Sequence, residues 1–355
     1  MDWLHSCGVS ATHYLQTHYG HNQDFFFFVS MATDLHNTFF LLFPIWFHVQ
    51  QAEAVRLVWV AVVGHWTNLI LKWLLFGERP YWWVQETGYY GNSSRPVIEQ
   101  FPMTCETGPG KNATFQCFTR YVFSSLWVVF CCVQVCVCLS RVFLAAHFPH
   151  QVIAGVFSGI LVAETLSRAC WILDASLHLY FLTSLLLLSL ALLLFLLLGS
   201  AGVDLLWSLE KARRYCHQVD WINMGTSPFA SLFRNTGTLL GLGLGLHSPL
   251  CTETKRVVAG RQGDGTAYRF ICVSATLVLL YMFDSAFRPA VHSGALLYLL
   301  SFCKSATVPL VISLITSPSS RGQGLISEIS WCGFWLERKP AASRPSMAHD
   351  CPPLV

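Results

Sequence analysis

Long apolar stretches recur along the whole chain and are separated mostly by short polar loops. A helix that crosses a bilayer needs about 20 mostly apolar residues, and a helix satisfies its own backbone polar groups in lipid. The pattern therefore predicts an all-α polytopic membrane protein, a helical bundle of about eight spans. We place these spans at residues 25–48, 57–76, 121–139, 151–167, 179–198, 228–246, 270–287 and 295–315.

Composition agrees with a membrane protein. Hydrophobic residues make up 54% of the 355 residues and charged residues 12%, whereas soluble domains carry roughly 25% charged residues. The net charge of +3 is too small to indicate a nucleic-acid partner. Several of the fourteen cysteines lie within an apolar stretch, where a thiol behaves as a small apolar group. No CxxC motif is matched by a second Cys or His pair, so the sequence predicts no metal site and no cofactor.

The chain divides into one multi-span domain, residues 1–315, and a tail, residues 316–355. In the tail the apolar periodicity stops and Ser, Pro and Arg accumulate, which predicts disorder. Two N-glycosylation triplets, at Asn92 and Asn112, fall in the loop 77–120 and favour a lumenal position for it. Lys72 and Arg79 then lie at or near the lumenal surface.

Two short stretches combine cations with a histidine: Lys72-x6-Arg79-Pro80 and Ser140-Arg141-x5-His147. A phosphate monoester needs several positive donors, because negative charge spreads over its oxygens in the transition state. Arginine supplies a planar fork and lysine a point charge. Histidine can attack phosphorus as a nucleophile. Together these residues predict a phosphate pocket that needs no metal.

Each residue taken alone has a simpler interpretation. Lys72 and Arg79 are typical interfacial anchors that extend toward lipid headgroups. Arg141 is typical of the end of a span, and His147 or His150 of an interfacial position. Their joint occurrence at these spacings favours the pocket.

These two motifs resemble the first and third motifs of the acid-phosphatase and lipid-phosphatase superfamily. Further segments narrow the resemblance to glucose-6-phosphatase catalytic subunits, almost from end to end, and MDWLH and WVQET favour the islet-specific relative within that family. The segments are FPIWFH at residue 43, FGERPYWWVQET at 76, QFPMTCETGPG at 100, CLSRVFLAAHFPHQV at 138, GVDLLWSLEKA at 202 and LSFCKSA at 300.

The resemblance implies an endoplasmic reticulum membrane enzyme that hydrolyses glucose 6-phosphate to glucose and phosphate at the lumenal face. It implies His147 as the nucleophile that forms a phosphohistidine, and Asn92 as the glycosylated asparagine. The phosphate oxygens would be bound by Lys72, Arg79 and Arg141. Gln151 occupies a position that is acidic in the wider superfamily and glutamine in this family. The glucose-6-phosphate transporter would be the functional partner, in addition to membrane lipid.

The chain departs from the family after CETGPG, where Gly110 runs directly into Lys111. The family continues with Ser-Pro-Ser-Gly-His and a further span, and no PSGH occurs anywhere in this chain. The histidine of that motif is the general acid that protonates the departing sugar oxygen. General acid catalysis contributes typically ~10²–10⁴-fold, so we expect this chain to be impaired.

The loss of one span also changes the expected topology. With the loop at Asn92 lumenal, the span 121–139 would deliver Arg141 and His147 to the opposite side, ~30 Å from Arg79. The loop that carries Lys255, Arg256 and Arg261 is basic, which favours a cytosolic position. Nine spans would place this loop in the cytosol, whereas eight would place it in the lumen. The chain then corresponds to a shortened splice product or an imperfect gene model.

Three other functions stay open at this point. The first is a catalytically dead shortened isoform that acts only as a membrane binding partner. The second is a lipid phosphatase, and the third is a polytopic transporter with basic gating residues. Inverted repeats would favour a transporter, but the sequence has no internal repeat.

Overall fold

A computed structural model describes residues 2–33, 38–75, 77–91, 95–106, 124–203, 207–218, 221–222, 225, 227–248, 265–286 and 294–316. Within these ranges the chain is helical and contains no β-strand. Its α-helices are α1 Asp2–Tyr19, α2 Gln23–Ala32, α3 Phe43–Val49, α4 Gln51–Leu75, α5 Pro80–Glu86, α6 Ser124–Phe143, α7 Pro149–Ser167, α8 Leu177–Ser200, α9 Trp207–Tyr215, α10 Pro228–Leu246, α11 Gly265–Ala286 and α12 Gly294–Thr316.

Four of these helices contain stretches long and apolar enough to cross a membrane. The stretches are Gln51–Leu74, Pro149–Ser167, Leu177–Ser200 and Leu296–Ser313, and they overlap four of the predicted spans. Helices α6, α10 and α11 follow three further predicted segments, but they do not meet the same criterion within the described residues. The all-α membrane fold is therefore confirmed, whereas the count of eight spans stays a prediction.

The first predicted span, residues 25–48, is wrong as a single helix. Helix α2 ends at Ala32, and the described chain continues in a π-helical turn, Thr38–Leu42, that leads into α3. The π-helical turn runs directly into α3, because Leu42 has helical backbone angles. The apolar stretch that looked continuous is therefore interrupted after Ala32, where Thr33 ends α2.

Helices α1 and α9 were not predicted. A search for long apolar stretches finds spans, and it passes over helices that mix polar and apolar residues. Both helices pack near the corner between α4 and α5, and this position makes them important for the site described below.

The membrane core is built around α4, whose middle is buried, and around the tightly packed pair α10 and α12. Added Cβ atoms at Gly237 and Gly241 of α10 would collide with the backbone carbonyls of Phe302 and Ala306 in α12. Small residues let helix backbones approach closely where lipid provides no hydrophobic driving force. The glycine repeat of α10 therefore sets the contact between these two helices.

Several predictions fall outside the described residues. They concern glycosylation at Asn92, the charge of the loop that carries Lys255, the Gly110–Lys111 junction and the tail 317–355.

Candidate active site

The site lies where two corners of the chain meet, one between α4 and α5 and the other between α6 and α7. Lys72 lies in the last turn of α4, and Arg79 is the extended residue before α5. Arg141 lies in the last turn of α6, and His147 lies in the connection to α7. Ala145 has a φ of 50°, a left-handed conformation that reverses the chain in that connection.

Arg79 binds two other segments of the chain. It is 2% exposed. Its Nη1 atom donates to the carbonyl oxygens of Met103 at 2.8 Å and Ala146 at 3.2 Å, and its Nη2 atom donates to the carbonyl oxygen of Glu106. Its guanidinium also lies 5.3 Å from the ring centre of Trp82. Arg79 therefore holds the loop after α5 against the connection between α6 and α7.

The guanidinium of Arg79 keeps free donor capacity. A guanidinium carries five N–H groups, and three hydrogen bonds from Arg79 to carbonyl oxygens are described. The buried Nε of Arg79 has no acceptor within the described residues. Burial lowers the pKa of Arg79 to about 10; nearby Glu106 opposes this shift and Arg141 adds to it. The group remains cationic at neutral pH and can still donate to an anion.

Arg141 lies close to Arg79 behind the same loop. It is 4% exposed, its Nη2 atom donates to the carbonyl oxygen of Ser30 at 3.3 Å, and its Nη1 atom lies 3.7 Å from Met103 Sδ. Met103 thus contacts both arginines, through its carbonyl oxygen and its sulfur. Two buried guanidinium groups side by side repel each other, so a bound anion would stabilise the arrangement.

His147 lies among these cations and is partly exposed. The pKa of His147 is well below its usual value, first because of burial, then because of the charges of Arg79, Arg141 and Lys72; a hydrogen bond with Gln151 opposes the shift. The imidazole is therefore neutral at physiological pH. A neutral imidazole keeps the lone pair that a nucleophile needs.

The structure contradicts the expectation that the two motifs lie on opposite sides of the membrane. The carbonyl oxygen of Ala146, next to His147, accepts a hydrogen bond from Arg79. The number of predicted spans therefore did not decide on which side α6 ends.

Gln151 connects the two corners. Its Oε1 atom accepts from the backbone N–H of Phe148 at 3.2 Å, and its Nε2 atom donates to the carbonyl oxygen of Glu78 at 3.0 Å. Gln151 thus ties the start of α7 to the residue that precedes Arg79.

Helix α9 and the residues after it form a clamp that sequence reasoning missed. Lys211 contacts Glu78 at 2.5 Å and Glu86 at 2.7 Å. A disulfide joins Cys105 to Cys216, 111 positions apart. The segment GVDLLWSLEKA carried the family resemblance, but nothing in the local pattern indicated which residues it contacts. The clamp holds the loop whose carbonyls receive Arg79.

The four site residues contain no acidic ligand set for a metal. Within the described ranges, no group of three His, Cys, Asp or Glu residues is arranged to hold a metal ion.

Comparison with known proteins identifies the family. The PAP2 superfamily matches residues 53–173, which contain all four site residues. Glucose-6-phosphatase catalytic subunit 1 of Mus musculus is 49% identical over 341 residues, covering 89% of this chain and 94% of the relative. The chain belongs to the glucose-6-phosphatase catalytic subunit family. The family resemblance seen in the sequence is thereby confirmed, and with it the class of phosphoric monoester hydrolases.

Other members of the glucose-6-phosphatase family are also similar to this chain. Catalytic subunit 1 of Canis lupus familiaris is 48% identical over 341 residues, covering 89% of this chain and 94% of the relative. Glucose-6-phosphatase 2 of Homo sapiens is 42% identical over 339 residues, covering 88% of this chain and 94% of the relative. No solved structure matches.

The alignment with the mouse subunit also contains positions that this chain lacks. For the mouse subunit, 89% of 355 residues is about 316 residues, whereas the alignment has 341 positions. About 25 positions of the alignment with the mouse subunit therefore have no counterpart in this chain.

Proposed function

We propose that this chain binds glucose 6-phosphate at the meeting point of the two corners, with its phosphate oxygens held by Lys72, Arg79 and Arg141. The single observation that carries this proposal is that Arg79 donates to the carbonyl oxygen of Ala146, which brings the two motifs together beside His147. A ring nitrogen of His147 attacks phosphorus, an N–P bond forms and the P–O bond to the sugar breaks. Water then cleaves the phosphohistidine and releases phosphate.

The environment fits both halves of this reaction. The arginines supply planar donors to oxygens on which negative charge develops, and this stabilisation is strongest where water is excluded. Because burial, together with the neighbouring cations, disfavours a further proton on His147, its lone pair is available in the free enzyme. After attack the imidazole carries the phosphoryl group, whose negative charge the same cations neutralise.

We further propose that hydrolysis in this chain is slow because the departing sugar oxygen lacks its proton donor. The sequence contains no PSGH motif, and about 25 family positions have no counterpart. An alkoxide is a poor leaving group, so we expect turnover to fall by the ~10²–10⁴-fold that general acid catalysis supplies. Binding of the phosphate group, which uses other residues, should persist.

The test expresses the chain in microsomes and measures phosphate release from glucose 6-phosphate. A second variant carries the family motif and span inserted between Gly110 and Lys111, and a third adds His147→Ala to that insertion. We expect strong activity only in the second. Equal activity of the unaltered chain and the second variant would refute the impairment, and full activity of the third would refute the nucleophile assignment.

The family also suggests where this chain resides and which protein it works with. We infer residence in the endoplasmic reticulum membrane, glycosylation at Asn92 and functional coupling to the glucose-6-phosphate transporter. A glycosidase-sensitive mass shift that disappears in Asn92→Gln supports the lumenal loop, and an unshifted wild-type chain contradicts it. A chain that binds glucose 6-phosphate without hydrolysing it would be the inactive isoform, and preference for a lipid phosphate over glucose 6-phosphate would indicate a lipid phosphatase.

A further inference from the structure

Two histidines outside the phosphate pocket stack on the residue that follows the nucleophile. Phe148 is fully buried. The ring of His5, from α1, stacks on it with a centroid distance of 4.5 Å and an interplanar angle of 23°. The ring of His150 stacks on it as well, at 5.4 Å and 18°. The two imidazoles lie 5.5 Å apart, so they form a pair against the residue that follows His147.

The position of His5 is held by several contacts of α1. Gly8 approaches so closely that an added Cβ would lie 2.6 Å from Phe148 Cδ1. Gln16 Nε2 donates to the carbonyl oxygen of Phe143 at 2.7 Å, and Gln16 Oε1 accepts from the backbone N–H of Glu99 at 2.9 Å. Helix α1 is thus tied both to the end of α6 and to the loop after α5.

The environment of the two rings selects one tautomer. The Nδ1 atoms of His5 and His150 are buried and have no hydrogen-bond partner within the described residues. Burial is also the main reason that the pKa of His5 lies below the usual histidine value, a shift that nearby Glu78 opposes. A neutral ring at either position carries its proton on Nε2, because a buried N–H without an acceptor is costly.

Both rings are partly exposed, and Nε2 is the ring nitrogen left for a ligand. A neutral N–H donor suits a neutral acceptor such as a hydroxyl oxygen, whereas the phosphate oxygens have charged partners nearby. The pair is also close in the chain, or through a neighbouring residue, to both motifs of the phosphate pocket. His150 lies three positions after His147, and Glu78, which is electrostatically close to His5, directly precedes Arg79.

We propose that His5 and His150 form a subsite for the leaving group, in which their Nε2–H groups donate to hydroxyl oxygens of a hexose. This inference rests on the proposed function and deepens it, since it assigns residues to the part of the substrate that the cations do not bind. Neither residue takes part in the bond changes at phosphorus.

The test measures equilibrium binding, so it does not depend on turnover. The full chain in lipid nanodiscs is titrated with glucose 6-phosphate and, separately, with inorganic phosphate. The variants His5→Phe and His150→Phe keep a ring against Phe148 and remove the donor. We expect each to weaken glucose 6-phosphate binding about tenfold, the size of one good hydrogen bond, and to leave phosphate binding unchanged. The control His18→Phe alters an exposed histidine of the same helix and should change neither.

Two results would overturn the subsite. Unchanged binding of glucose 6-phosphate in both variants would remove it and leave the phosphate pocket intact. Equal loss of glucose 6-phosphate binding and phosphate binding would show that the histidines only support the fold. The variant His5→Gln keeps a donor without the ring, and we expect it to preserve the preference for the sugar phosphate. If the wild-type chain binds no phosphate, the pocket and the subsite both fail, which separates that outcome from failure of the subsite alone.

Discussion

Arg79→Lys tests the dual role that the structure gives this side chain. Arg79 donates to three carbonyl oxygens on two segments, and hydrogen bonds from charged groups contribute about 1.5–3 kcal/mol each. The ammonium of lysine keeps the charge but cannot reproduce the planar fork. If two of the three bonds are lost at the lower value, the free energy of unfolding falls by about 3 kcal/mol. Loss of the remaining donors should weaken phosphate binding about 10–100-fold.

The assay combines unfolding of the purified chain in micelles, followed by tryptophan fluorescence, with titration of inorganic phosphate. Arg95→Lys is the matched control, because Arg95 is exposed and donates one bond, to the carbonyl oxygen of Gln85 at 3.2 Å. We expect the control to resemble the wild-type chain in both measurements. If Arg79→Lys also unfolds and binds phosphate like the wild-type chain, the bridging role of Arg79 is refuted.

Three further predictions follow from the clamp, the nucleophile and the helix packing. Replacing Cys105 and Cys216 by serine removes a cross-link over 111 positions and should lower the free energy of unfolding by up to ~5 kcal/mol, measured as a lower thermal midpoint. Acylation of His147 by diethyl pyrocarbonate, which needs the neutral ring, should titrate with a midpoint below pH 6.5 and be prevented by bound phosphate, because the pKa of His147 is lowered. Gly241→Val should unfold the pair α10 and α12, because its side chain would collide with Ala306; loss of folded protein in size-exclusion chromatography would report this.

Each of these predictions has a matched control or a contradicting result. Cys303→Ser, which alters an exposed free cysteine, should leave the thermal midpoint unchanged, and an equally small effect of the double variant would contradict the clamp. A His147 midpoint above pH 6.5 would contradict the cationic environment. The lowered pKa of His147 also makes the free energy of unfolding depend on pH. The contribution of His147 to this free energy is complete above pH 6.5. It is lost as the pH falls toward the pKa of the folded state, because the unfolded chain takes up the proton first. A normally folded Gly241→Val protein would contradict the close packing.

The sequence by itself determined the all-α membrane fold and four of the stretches that are long and apolar enough to cross a membrane. The apolar run in α8 and the stretches in α4, α7 and α12 need only local composition and length, since an apolar helix in lipid satisfies its own backbone. The same reasoning joined α2 and α3 into one span, because hydropathy does not register the end of α2 at Ala32. The sequence also supplied the residue types of a phosphate pocket and the family to which the chain belongs.

Only the tertiary structure decided how those residues meet. Arg141 reaches the carbonyl oxygen of Ser30, 111 positions away, and the disulfide from Cys105 closes an equally long loop. Contacts at this separation depend on how helices pack, and they leave no periodicity along the chain. For that reason spacing could indicate a phosphate pocket, whereas the meeting of the two corners, the clamp of α9 and the stacking of His5 on Phe148 emerged only from the fold.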